Sequence, residues 1–195
     1  MRRELGPGEF ASSVLAISWG KGDPQKDAIT MVFLDEGGRM RENTKIDNLH
    51  DTDSQDEFID LLRRRRPEVI AIGGFSISTL KLANRVKEML RGTPPAPESA
   101  WGASAQPEFD IPVVYVHDDV ARLYYRSKRA GEEFSTISPT ARYCIGLARY
   151  TQSPLNEFAA LGSDLTAISL IPEQTLVCQK NLMRQSVFLT CAPGS

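Results

Sequence analysis

The chain is poor in the residues that hold metals or staple small folds. It has two histidines, His50 and His117, and three cysteines, Cys144, Cys178 and Cys191, in 195 residues. Their spacings match no zinc pattern, and an odd cysteine count argues against a disulfide framework. A reducing, intracellular compartment and no metal or cofactor are the corresponding expectations. No apolar run is long enough to span a bilayer, so no membrane association is expected. The first residues, Met1-Arg2-Arg3-Glu4-Leu5-Gly6, lack the apolar stretch of a secretory signal. Residues 1–11 read as a leader appended to the fold. A basic excess is also missing. Lys plus Arg number 23 against 25 Asp plus Glu, a net charge of −2, whereas a chain that coats phosphates carries a clear positive surplus. The one basic run, Arg63-Arg64-Arg65-Arg66, has no interleaved aromatics and reads as the solvated end of a helix, where cations offset the dipole.

With 41% hydrophobic residues, the chain has enough apolar content for one full core. Residues 14–19 and 28–34 read as strands, and Asp35-Glu36-Gly37-Gly38 as a tight hairpin turn into a third strand over 39–46. Ser54-Gln55-Asp56-Glu57 has the pattern of a capping box opening a helix, with Phe58, Leu61 and Leu62 as its apolar stripe and Pro67 as its stop. Val69-Ile70-Ala71-Ile72 is a short unbroken apolar run, the mark of a central strand covered on both faces. Gly73-Gly74 ends it, and a helix follows over 78–90. Residues 92–108 are rich in Pro, Ala, Ser and Gly and are expected to form a floppy insertion. Val113-Val114-Tyr115-Val116 reads as another central strand. Helices are expected over 119–125 and 128–134, then from Ser138-Pro139 to about Tyr150, and again from Ser153-Pro154. Residues 168–170 suit a short strand or extended segment.

This order, β-β-β-α-β-α-β-α, is that of an α/β ribonuclease H-like mixed sheet with additional C-terminal helices. Periodicity alone leaves other mixed α/β folds open. Particular strings narrow the choice. They are Leu15-Ala16-Ile17-Ser18-Trp19-Gly20-Lys21-Gly22-Asp23-Pro24, then Val69-Ile70-Ala71-Ile72-Gly73-Gly74-Phe75-Ser76, then Gly146-Leu147-Ala148-Arg149-Tyr150 with Gln152-Ser153-Pro154-Leu155-Asn156-Glu157. Together they resemble the YqgF-type, ribonuclease H-like domain of the eukaryotic suppressor-of-Ty-six transcription elongation factors and histone chaperones. The last string is also similar to the bacterial Tex proteins. The resemblance runs from Ser12 to about Met183. It implies a nuclear, chromatin-associated protein that binds histones and nucleosomes and travels with RNA polymerase II. It further implies that helix-hairpin-helix, S1 and SH2 modules follow this domain in the full protein. The domain itself is expected over residues 12–162. Residues 163–195 are expected to be a truncated or divergent extension, because Ser186 to Ser195 depart from the family's continuing helix.

A two-metal nuclease needs carboxylates at the ends of the first strand and of a central strand, and on a late helix. Here those places carry Ser18, Gly73-Gly74 and Thr140. A hydroxyl is a poor ligand for a hard cation. Asp23, Asp118 and Asp119 are the acids left nearby; the last two read as a helix cap and a first-turn charge. His117 beside Asp118 is the kind of pair that does acid–base work, yet no nucleophile with a supporting motif accompanies it. Gly73-Gly74 lacks the spacing of a phosphate loop. Cys144 reads as core. Tyr124, Tyr125, Arg126, Lys128 and Arg129 form a basic, aromatic stretch suited to helix packing, or to a nucleic-acid or protein contact. No catalytic, cofactor or metal residue is therefore expected, and the domain reads as a monomeric pseudo-nuclease scaffold with at most weak affinity for nucleic acid. The alternatives are an active metal-dependent nuclease on structured nucleic acid, or a non-catalytic nucleic-acid-binding module.

Overall fold

A computed structural model describes residues 11–20, 27–74, 77–91 and 109–162. The insertion expected over 92–108, the extended segment at 168–170, the leader up to residue 10 and the extension from 163 lie outside the described residues, as does Asp23. The elements in chain order are β1 Val14–Ser18, β2 Ile29–Leu34, β3 Met40–Ile46, α1 Thr52–Arg65, β4 Val69–Gly73, α2 Ile77–Arg91, β5 Val113–Val116, α3 Asp119–Tyr124, α4 Lys128–Glu133, α5 Pro139–Gln152 and α6 Pro154–Leu161. The strands form one sheet in the order β3-β2-β1-β4-β5. β1, β2 and β3 pair antiparallel; β1, β4 and β5 pair parallel. This is the mixed α/β sheet expected from the sequence.

Period-two alternation divides the core into two layers. Leu15, Ile17, Met31, Phe33, Ile70 and Ile72 face α1 and α2, which supply Phe58, Leu61, Leu62, Leu82 and Val86. Val14, Ala16, Val32, Leu34 and Ala71 face the other way, onto Tyr124 and the α5 residues Cys144, Ile145, Leu147 and Ala148. Ala16 and Ala71 lie on that second face, and α5 packs across β1 and β2 there. The first strand reads as unbroken apolar sequence because both its faces are covered.

Three local expectations change. α1 is capped by Asp51, whose carboxylate accepts from the Ser54 N–H at 3.0 Å, so the helix starts a turn before the Ser54 box. The Asp51 position wins because Asn48 Oδ1 accepts from the N–H groups of His50 and Asp51, fixing the entering chain. β5 lies at an edge of the described sheet rather than at its centre, with all four residues half-buried. An unbroken apolar run reports that both faces are covered, not that both edges are paired. Finally, the run Arg63–Arg66 is more than a solvated helix end. Arg64 and Arg65 both bond Glu42 of β3, at 2.9 and 2.6 Å, and tie α1 to the sheet. Arg66 takes the left-handed cap conformation ahead of Pro67.

Candidate functional site

The parallel register sets the site. Ile17 pairs with Ile72, so Ser18 and Gly73 are the next residues on neighbouring strands. Gly73 in turn pairs with Val116, and the Gly74 N–H donates to Val116 O at 3.2 Å. The carboxyl ends of β1, β4 and β5 therefore open on one side, where ligands bind in open α/β sheets. A cleft of about 560 Å³ lies there, and Ser18, Gly73, Gly74, Asp118 and Thr140 all line it. The first turns of α2 and α5 complete the wall with Ser78, Thr79 and Pro139.

Tyr143, a residue that the strand-end reasoning missed, lines this cleft beside Gly73. A Cβ built on Gly73 would collide with the Tyr143 hydroxyl and come within 3.0 and 3.1 Å of the Leu147 methyls. Any side chain at position 73 would thus have to displace the ends of Tyr143 and Leu147, and a phenol stands where a nuclease would carry its second carboxylate. The hydroxyl donates to Asp118 Oδ2 at 3.0 Å. Burial, reinforced by the Asp118 charge, pushes the Tyr143 phenol well above its ordinary value, so it stays a protonated donor. Gly74 adopts φ +83°, a backbone conformation that favours glycine, and its missing Cβ would lie 3.4 Å from Asp118 Oδ2.

Asp118 stands at the cap position of α3, yet its side chain makes no cap hydrogen bond. That corrects the expected capping role. The carboxylate instead receives Arg122 Nε at 2.7 Å and the Tyr143 hydroxyl, and only 13% of its side chain is exposed. Asp119 is exposed in the first turn of α3, and exposed His117 does not line the cleft. Among the described residues, no group of three or more His, Cys, Asp or Glu is placed to hold a metal. The described donors, one engaged carboxylate with hydroxyls and glycine around it, do not fit a hard divalent cation. Cys144 is fully buried, with its Sγ 3.7 Å from Thr30 O, and burial pushes its thiol upward, as an inert core cysteine requires.

The basic, aromatic stretch divides between two places. Tyr125 and Arg126 line the cleft. Tyr124 and Arg129 turn into the helical layer: the Tyr124 hydroxyl donates to Glu133 at 2.8 Å, and Arg129 pairs with buried Glu157 at 3.3 Å. The signal for Asp118–Arg122 was present in the sequence as an i, i+4 pair of opposite charge. The signal for Tyr143 was its spacing from Pro139 and Thr140 on one face of α5.

Residues 9–162 match the family model described as YqgF, Holliday-junction resolvase-like of SPT6. The chain is 42% identical to the transcription elongation factor SPT6 of Mycosarcoma maydis over 194 residues, covering 87% of this chain and 11% of that protein. It is 38% identical to transcription elongation factor spt6 of Schizosaccharomyces pombe, covering 85% and 11%. Against SPT6 of Saccharomyces cerevisiae the identity is 32%, covering 87% and 12%. The chain therefore spans about a ninth of the length of these relatives, which are named as elongation factors and not as nucleases. On the matched residues and the mixed sheet together, the chain belongs to the YqgF Holliday-junction resolvase-like family of SPT6.

Proposed function

We propose that this chain is a catalytically inactive ribonuclease H-like interaction domain of a nuclear transcription elongation factor and histone chaperone that acts with RNA polymerase II. The observation that carries the inactive reading is the Gly73–Tyr143 interlock. A phenol fills the second ligand position and bonds the one carboxylate lining the described cleft. Two-metal hydrolysis needs several carboxylates to neutralise the cations and clamp the attacking and leaving oxygens. The partners and the nuclear setting rest on the relatives' name as transcription elongation factors. Residues 12–162 are proposed as the folded unit, with 1–11 a leader and 163–195 an extension.

The experiment is a cleavage assay on branched DNA and structured RNA with Mn²⁺, for the parent and for Ser18→Asp. No turnover is expected from either, because one restored carboxylate leaves the Gly73 position filled. Metal-dependent turnover by the parent overturns the reading. Turnover by the single variant alone would show that Tyr143 does not block the centre.

A further inference from the structure

The cleft is lined by a single carboxylate, Asp118, and by two cations, Arg122 and Arg126. Arg122, on α3, and Arg126, in the turn that follows it, both line the cleft. The Arg122 side chain is 66% exposed although Asp118 holds its Nε. Arg126 donates through Nε to the Tyr125 hydroxyl at 2.6 Å, and its guanidinium carbon lies 5.1 Å from the Tyr125 ring centroid. Tyr125 is braced in turn by Tyr143, with ring centroids 6.4 Å apart in an edge-to-face contact. Both arginines are thus held through Nε, and neither anchoring bond uses the paired Nη donors of the guanidinium fork. Ser18 and Thr140 line the same space, as does Thr79, whose hydroxyl donates to Gly73 O at 3.4 Å. Guanidinium forks with hydroxyl donors match the oxygens of a phosphoryl group.

We propose that the cleft binds the phosphoryl group of a phosphorylated peptide segment, with Arg122 and Arg126 as its guanidinium ligands. This inference rests on the reading of the cleft as non-catalytic. A single phosphoryl group needs one cationic cluster, whereas a nucleic-acid strand needs a track of phosphate contacts. The cleft's own lining offers two arginines and no lysine. The other basic run lies at the opposite end of β1, where Arg65 and Arg66 stand beside Ser13 and Glu68, and Arg64 and Arg65 are committed to Glu42. The chain's net charge of −2 agrees.

The test is an amide NMR titration of the full 195-residue chain at constant ionic strength. The probes are inorganic phosphate, a degenerate phosphoserine peptide library, the same library unphosphorylated, and an oligothymidine strand. Phosphate and the phosphorylated library are expected to shift the same amides saturably, around Ser18, Thr79, residues 122–126 and Thr140. The unphosphorylated library is expected to leave them in place. Arg126→Glu should weaken the phosphopeptide response roughly tenfold or more, the size of a lost charge-assisted contact. Its spectrum away from the cleft should stay unchanged, which excludes unfolding as the cause. Absence of saturable shifts at the cleft, equal responses to both libraries, or an unchanged response in Arg126→Glu would overturn the proposal. So would oligothymidine saturating at lower concentration than the phosphopeptides, which would make the cleft a nucleic-acid site. Failure here without metal-dependent cleavage sinks this inference alone; metal-dependent cleavage sinks the inactive reading itself.

Discussion

The same three residue types, tyrosine, carboxylate and arginine, meet twice in this domain, to different ends. In the helical layer Tyr124, Glu133 and Arg149 converge, with Arg149 Nη1 2.7 Å from Glu133 and 3.2 Å from the Tyr124 hydroxyl. Arg129 and Arg149 both lie over the Tyr124 ring, and Arg129 reaches on to Glu157 of α6. That network joins α3, α4, α5 and α6. Gly146 makes it possible, because a Cβ there would come within 2.8 Å of the Tyr124 ring. In the cleft Tyr143, Asp118 and Arg122 converge, but Arg122 stays open to solvent and α3 and α5 are the only helices joined. The first trio holds helices together through a buried tyrosine and a largely buried arginine. The second lines the cleft at the carboxyl ends of the parallel strands and leaves the Arg122 charge facing outward. Burial of the arginine, 18% exposed at Arg149 against 66% at Arg122, more than residue type, separates a clamp from a surface available for binding.

The sharpest way to break this comparison is Gly73→Asp, which forces a carboxylate into the Tyr143 hydroxyl. It is expected to cost about 3 kcal/mol or more, as overpacking and an ill-paired charge combine. Thermal melts of Gly73→Ala with and without Tyr143→Phe isolate the collision. The alanine should cost about 1–3 kcal/mol alone and clearly less beside phenylalanine, since the clashing oxygen is then gone. Additive losses would mean that the two positions do not interlock.

The clamp comes next in size. Glu133→Ala strips the acceptor from the buried Tyr124 hydroxyl and should cost about 1–2 kcal/mol, moderated because the carboxylate is partly solvated. It also carries a pH signature. Burial raises the Glu133 carboxyl, but the hydrogen bonds and charges of Arg149, Tyr124 and Arg129 outweigh it and hold it below its ordinary value of 4.5. A depressed carboxyl contributes stability in full above that value and loses it as pH falls through the folded-state value. Melting temperature should therefore fall on acidification below about pH 4.5, and less steeply in Glu133→Gln. Asp35, held low in the hairpin turn against its own burial by Arg39 N–H and Arg41, should supply part of the remaining slope. An identical acid limb in parent and variant would remove Glu133 from the account.

The smallest effect belongs to the outward-facing charge. Arg126→Ala is expected to change stability by no more than about 0.5 kcal/mol, since its bond is to its exposed neighbourhood and not to another element. A larger loss would make Arg126 part of the scaffold and blur the distinction between the two trios.

Much of the fold was legible because local signals agreed. The Asp35 turn, the Pro67 stop, the Ser138-Pro139 start and the unbroken runs of β1 and β4 each have a short-range cause. The position of β5 was not legible, because edge or centre is decided by pairing with distant residues. The absence of acids at Ser18, Gly73 and Thr140 could be read directly, and the structure brings those residues into one cleft. The crowding that a side chain at Gly73 would meet could not be read. It depends on Tyr143, seventy residues away in sequence, and on how closely α5 lies against β1 and β4. Likewise, nothing local separates Tyr124 from Tyr125; one helical step sends the first into the clamp and the second into the cleft.

The proposed inactivity requires that the cleft, though placed as a nuclease centre would be, hold no metal site. Its most direct test is Mn²⁺ titration of the full chain, followed by paramagnetic broadening of amide signals. The account expects no saturable, site-specific broadening at Ser18, Gly73 and Asp118, only weak effects spread over exposed acids such as those of α1. Stoichiometric broadening centred on those three residues at micromolar Mn²⁺, abolished by Asp118→Asn, would contradict it.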